Sequence, residues 1–190
     1  GTGPAKDDET ETYDGSSWTE VGDLNTARRD LGGAGTQTAA IAFGGESQPG
    51  SRVAIAESFD GSSWTEGPDL NTARTNTGGT GTQTATLSFG GVVPGGPPAP
   101  KTNVTEEYDG SSWTNSGNMN NARSELGSTG IQTAAVAMGG EEPPGAVTRC
   151  ETYDGSTWST SPATMGNART GAAAAGSSTA SFIAGGPSAI

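Results

Sequence analysis

Short apolar stretches separated by polar, glycine-rich text recur along the chain, and none sustains a 3.6-residue period. The pattern predicts strands and turns, without helices. Glu9 to Tyr13 alternates in the manner of a short strand, Asp14-Gly15 marks a tight hairpin turn, and Ser17 to Val21 reads as the returning strand, with Trp18 the large residue of one face. Gly22 to Thr26 is a connection carrying Leu24, after which Arg28 opens a new unit. Leu31 to Gly35 is a strand of nearly bare backbone. A turn at Thr36-Gln37 follows, then an apolar strand from Thr38 to Phe43 closed by Gly44-Gly45.

The same text returns three more times. The tryptophans Trp18, Trp64, Trp113 and Trp158 are separated by 46, 49 and 45 residues, and each is followed by an arginine: Arg28, Arg74, Arg123 and Arg169. From each arginine to the first glycine of the next Gly-Gly pair (Gly44, Gly90, Gly139, Gly185) is 16 residues every time. A period of this length is that of propeller blades. The phase matters: the chain begins with the third and fourth strands of a unit and ends with a first and second. The expectation is an all-β propeller of four-stranded blades, four in number, with one blade shared between the termini. Residues 1–190 then form one domain, with units starting near Arg28, Arg74, Arg123 and Arg169 and strands 9–21 completing the last blade.

Composition qualifies this picture without overturning it. Leu, Ile, Val and Phe make up 21 of 190 residues and the net charge is −12, values that a composition filter assigns to disorder. Disorder gives no reason to hold Trp, Arg and Gly-Gly at fixed offsets, and inner strands built of glycine and alanine need few large apolar residues. An excess of 21 acidic over 9 basic residues opposes phosphate-backbone binding, so nucleic acid is not an expected partner. No run of 18 apolar residues and no charged-then-apolar leader is present, so neither membrane insertion nor a signal peptide is expected. Cys150 is the only cysteine and reads as a small filler beside Thr152.

The order Tyr-Asp, Trp, Ala-Arg, apolar strand and Gly-Gly is similar to the kelch repeat, and the likeness covers residues 9–186. The resemblance implies that Tyr13, Phe59, Tyr108 and Tyr153, with the four tryptophans, pack between blades, and that Gly-Gly lets the second strand turn tightly into its loop. The glycine-rich inner strands and the Thr- and Ser-rich surface look most like kelch-like repeats of phage and other structural proteins, such as those of tail fibres.

Candidate chemistry is sparse. The chain has no histidine, which excludes a Ser-His-Asp triad, a histidine metal site and the copper site of kelch-like galactose oxidases. No catalytic, cofactor-binding or metal residue is assigned, and no cofactor is expected. Asn25, Asn71, Asn120 and Asn167, each before Ala-Arg or close to it, form either a ligand rosette with the arginines or turns whose arginines pair with Asp30, Glu125 or backbone carbonyls. Recurrence in every unit favours the second. The variable segments after Gly-Gly supply the expected contacts to a protein or glycan surface: Glu46, Gln48 and Arg52; Val92, Val93, Pro97, Pro98 and Lys101; Glu141, Glu142 and Pro143. The proline-rich segment 92–100 should be an exposed loop unable to hold a ladder. The functional expectation is a non-enzymatic structural or adhesive module, extracellular or on a virion, in a homo-oligomer or larger assembly. The alternatives are a glycan-binding propeller lectin, whose tryptophans would face solvent, and a carboxylate-based enzyme.

Overall fold

A computed structural model of the chain describes residues 8–187. The sequence of residues 1–8 reads as a loop, which except for Asp8 lies outside the described residues, as do residues 188–190. The chain opens with a hairpin, β1 (Glu11–Tyr13) and β2 (Trp18–Glu20). The next unit holds β3 (Gly32–Thr36), β4 (Ala39–Phe43), a small hairpin β5 (Glu46–Gln48) and β6 (Ser51–Arg52), then β7 (Ala56–Phe59) and β8 (Trp64–Glu66). The third comprises β9 (Gly78–Thr82), β10 (Ala85–Phe89), β11 (Thr105–Tyr108) and β12 (Trp113–Asn115). After it come β13 (Gly127–Ile131), β14 (Ala134–Met138), a second small hairpin β15 (Glu141–Glu142) and β16 (Gly145–Ala146), then β17 (Cys150–Tyr153) and β18 (Trp158–Thr160). The last two strands are β19 (Ala173–Gly176) and β20 (Ser181–Ala184).

The fold is all-β. Three antiparallel four-stranded sheets, β3-β4-β7-β8, β9-β10-β11-β12 and β13-β14-β17-β18, carry the same register: Phe43 faces Gly32 and Ala56, Phe89 faces Gly78 and Thr105, and Met138 faces Gly127 and Cys150. Their innermost strands stack in series, β3 on β9, β9 on β13 and β13 on β19. Glycine permits that approach: a Cβ on Gly79 would sit 2.9 Å from the Gly33 carbonyl oxygen. Aromatic rings fill the space between the outer parts of the sheets. Phe43 meets the Trp113 ring of the next sheet at 5.2 Å, and Phe89 meets Trp158 at 4.7 Å. Tyr108 and Tyr153 each lie against the tryptophan of their own hairpin at 5.0 Å, and the Tyr153 hydroxyl reaches Glu107 of the preceding sheet at 2.5 Å.

The two ends differ from what the repeat phase predicts. β1-β2 and β19-β20 are separate two-stranded sheets, and among the described residues no ladder joins β1 to β20. Pairing of strands 9–21 with the last unit is thus not seen among the described residues. Instead, β1-β2 leans on the second sheet, through the Trp64 indole N–H to Thr10 and the Gln37 amide to the Tyr13 carbonyl, while β19 packs on β13 at the other end. Among the described residues no comparable packing joins β19 to β3. Of the segments after Gly-Gly, the proline-rich one holds no strand, as expected, and the other two depart from expectation. These form the small hairpins β5-β6 and β15-β16, and in the proline-rich one Val92 still bridges Lys101 at its base.

Trp64 and Trp158 each donate their indole N–H to a threonine hydroxyl, Thr10 and Thr105, at 2.9 Å. Ala56 occupies the equivalent place opposite Trp113, whose indole nitrogen is buried without a partner. Ala56→Thr should restore the acceptor and stabilise the protein by about 1 kcal/mol, the usual net worth of such a bond. Urea denaturation reads this as a higher midpoint at unchanged slope; a lower midpoint would show that the position cannot take the hydroxyl.

Candidate functional site

The repeated polar residues converge on one buried arrangement, present three times. Arg28 enters from the connection before β3, and its Nη1 donates to the carbonyls of Gly44 at 3.0 Å and Ile55 at 2.8 Å. Its Nη2 meets Glu57 Oε1 at 2.8 Å, with both side chains fully buried. The other carboxylate oxygen of Glu57 accepts from the Asn25 backbone N–H at 2.7 Å and its side-chain amide at 2.8 Å, and the same amide reaches the Trp64 carbonyl at 3.0 Å. Arg74, Glu106 and Asn71 repeat this with an ion pair of 2.5 Å, as do Arg123, Glu151 and Asn120 with one of 2.8 Å.

The geometry explains why those residue types recur. A connection crossing the end of a sheet carries donors without ladder partners, and burying them unpaired is costly. One guanidinium fork and one carboxylate satisfy the connection, the strand end and each other. Burial pushes the three guanidinium groups down from their ordinary pKa, and the facing carboxylates pull them back up. Pairing of the arginines with backbone carbonyls is as expected. Pairing with Asp30 or Glu125 is not: the partners are Glu57, Glu106 and Glu151, and the ion pair near Asp30 belongs to Arg29 at 3.7 Å. With their amides engaged and the arginines buried, these three sets present no open rosette to a ligand. Glu57, Glu106 and Glu151 are the residues that sequence reasoning missed. Their signal was there, a glutamate two positions before each aromatic of the Tyr-Asp or Phe-Asp turn.

Gly-Gly completes the lock. Both glycines have positive φ, 66° and 100° at Gly44 and Gly45, and a Cβ on Gly44 would come within 2.5 Å of the Arg74 carbonyl oxygen. That approach lets Gly45 N–H donate to the same carbonyl at 2.8 Å, tying each sheet to the connection of the next. Alongside runs a chain of left-handed residues, Asp30, Asn76, Glu125 and Gly171, in which the amides of the last three donate to the carbonyl of the one before at 2.8, 3.1 and 2.9 Å.

Fourth-copy residues are present but incomplete. Arg169 donates to the Gly185 carbonyl at 3.0 Å and has no ion pair among the described residues, while Glu11 is exposed. Tryptophan burial follows the same order: Trp113 and Trp158 are 5% exposed, Trp64 is half-buried and Trp18 is 66% exposed.

Variable segments all spring from the same side of the sheets, where Arg29 bridges Glu46, Thr75 bridges Val92 and Ser124 bridges Glu141. The Asp-Gly turns lie at the opposite end of the same strands. Several candidate contact residues are engaged internally. Glu46 is buried against Arg29 at 2.7 Å, Glu142 meets Arg149 at 2.7 Å, and Lys101 meets Glu141 at 3.2 Å, linking two neighbouring segments. Arg52, Val92 and Val93 are half-buried, which leaves Gln48, Pro97, Pro98 and Pro143 at the exposed tips. Burial pushes the Cys150 thiol up, away from thiolate reactivity. Among the described residues no group of three or more acidic, cysteine or histidine side chains is placed to hold a metal ion. A scan of protein-family models and a search of curated proteins return no match.

At the opposite end, the carboxylates of Asp14, Asp60, Asp109 and Asp154 each cap their own turn. Asp60 accepts from the backbone of Ser62 and Ser63 at 2.8 and 2.9 Å. These backbone bonds, that of Ser63 foremost, lower its pKa to about 2, and the bond from Thr157 leads in lowering Asp154 to about 2. A depressed folded-state pKa means the contribution to stability is complete above the ordinary carboxylate value and is lost as pH falls through about 2. Carboxyl carbon NMR titration should place the Asp60 and Asp154 midpoints near 2; a midpoint near the unperturbed value would refute the capping role. For the buried pairs, Glu106→Ala should cost about 3–5 kcal/mol, because it strands a buried guanidinium, whereas Arg74→Met with Glu106→Leu should recover most of the loss. Chemical denaturation of the two variants checks this, and equal losses would refute it.

Proposed function

We propose that the chain is a non-enzymatic structural or adhesive module of the kelch-like type, its sheets acting as propeller blades that hold variable loops toward a protein or glycan partner. The strands amount to four blades, with the fourth divided into inner strands β19-β20 and outer strands β1-β2. The observation that carries the functional reading is the split between the two ends of the sheets. On the loop side, identical buried Arg-Glu-Asn sets support segments that differ in length, charge and proline content, with tips that are exposed. A rigid frame under variable loops is the common plan of recognition surfaces. Deployment on a virion or outside a cell follows from the phage-like character of the repeat text. Burial of Trp113 and Trp158 favours this reading over a lectin that stacks a sugar on the tryptophan of each blade.

Replacing residues 94–99 by a short Gly-Ser turn should leave the melting temperature within about 3 °C, since loop length changes closure entropy only slowly. The same replacement should lower binding to glycan arrays and intact bacterial cells at least ~10-fold, the effect of losing about 1.4 kcal/mol of contact. Unchanged binding, with loss instead on substituting Ser62 and Ser111 in the Asp-Gly turns, would reverse the assignment of the recognition face.

A further inference from the structure

β1-β2 and β19-β20 are two-stranded where the three sheets between them have four strands. We propose that β1-β2 of one copy docks beside β20 of a second copy, completing a four-stranded sheet between chains; the proposal rests on the reading that these hairpins are halves of one blade. Internal repeats supply the register. β4 pairs β7 with Ala40 opposite Phe59 and Ala42 opposite Glu57, and β14 pairs β17 with Ala135 opposite Tyr153 and Ala137 opposite Glu151. Transferred to the ends, Ser181 lies opposite Tyr13 and Ile183 opposite Glu11.

Four independent features agree with that register. Among the described residues Arg169 lacks the carboxylate that Arg28, Arg74 and Arg123 possess. Glu11, the residue at the matching position, is exposed, and docking brings the two together. Tyr13 and Trp18 are 47% and 66% exposed, whereas Tyr153 and Trp158 are 3% and 5% exposed. An open cleft of about 380 Å³ between β14 and β20 is lined by Val136, Met138, Met165, Ser181 and Ile183. In the preceding sheet the equivalent residues Leu87, Phe89, Met119, Ala135 and Ala137 form the cluster that encloses Tyr153 and Trp158. The cleft is thus the seat of the Tyr13 and Trp18 rings of the next copy. Lastly, the chain of left-handed residues ends at the Asp30 amide on one side and the Gly171 carbonyl on the other, a donor and an acceptor that meet when copies join.

A second copy is favoured over closure within one chain because the turn between successive sheets is set by close contact of the glycine strands β3, β9 and β13. In this structure no ladder joins β1 to β20 among the described residues, and a second copy docked there leaves every described contact of the chain as it is. The interface is heterologous, so it propagates head to tail into a filament or a ring of several copies.

Charge exchange tests this with the 190-residue chain. Wild type should sediment as assemblies larger than one chain, with Trp18 emission shifting to the blue as concentration rises. Glu11→Arg and Arg169→Glu should each weaken self-association on the order of 100-fold, and an equimolar mixture of the two variants should restore it. A wild-type chain that stays monomeric overturns the proposal. Two monomeric results are separable: if the Glu11→Arg/Arg169→Glu double variant regains the stability lost by each single one, the blade forms within one chain. If neither substitution changes stability, the division of a blade between the ends is itself wrong.

Discussion

Satisfying buried polar groups where a connection crosses the end of a sheet is the constraint on which the remaining structure depends. The chain leaves one sheet and enters the next on the loop side, where backbone donors and acceptors from the connection, the strand end and the Gly-Gly turn meet away from water. A buried arginine answers them with a fork of donors, and a buried glutamate two residues before the aromatic turn neutralises the arginine while accepting from the asparagine of the connection. Removing any member leaves a charge or an amide uncompensated in a dry site. This is why residues that look like surface chemistry in the sequence recur without change in an interior.

That polar lock works together with a packing rule. Inner strands must lie almost backbone to backbone, so they are written in Gly, Ala, Ser and Thr, and the large side chains move outward to the aromatic layer between sheets. The low content of aliphatic residues is thereby a consequence of geometry. Short side chains near the centre require little apolar bulk, and a few rings, Phe43 with Trp113 and Phe89 with Trp158, supply the contact between sheets. The acidic surplus sits partly in turns that use their own carboxylates as caps and partly in the buried pairs, which reduces the repulsion implied by the net charge.

The same division of labour accounts for the ends. Each unit is stabilised by a neighbour on either side, and the first and last lack one. Trp18 and Glu11 are exposed and Arg169 is half-buried, whereas their counterparts in the middle units lie deeper. The loop tips, in contrast, carry residues that differ between units and are not needed by the lock beneath them.

Strand order and the hairpin turns at Asp-Gly were legible from periodicity, because local pattern and turn chemistry decide them, and the burial of Trp113 and Trp158 agrees with what the kelch resemblance implies. Also legible was the structural, non-rosette role of the asparagines, since a demand made by every unit belongs to the frame. The glutamate partners of the arginines were not recognised, because they lie 28 to 32 residues further on and only the folded sheet brings them to the same point. The small hairpins in the variable segments also escaped, and so did the bridge from Arg29 to Glu46 at the base of the first, which depends on a segment 17 residues away and not on the propensity of the loop. Whether the two ends meet was beyond the sequence altogether. Repeat phase predicts half-sheets at the two ends, but their pairing depends on how successive sheets stack through the inner strands, and among the described residues no ladder joins them.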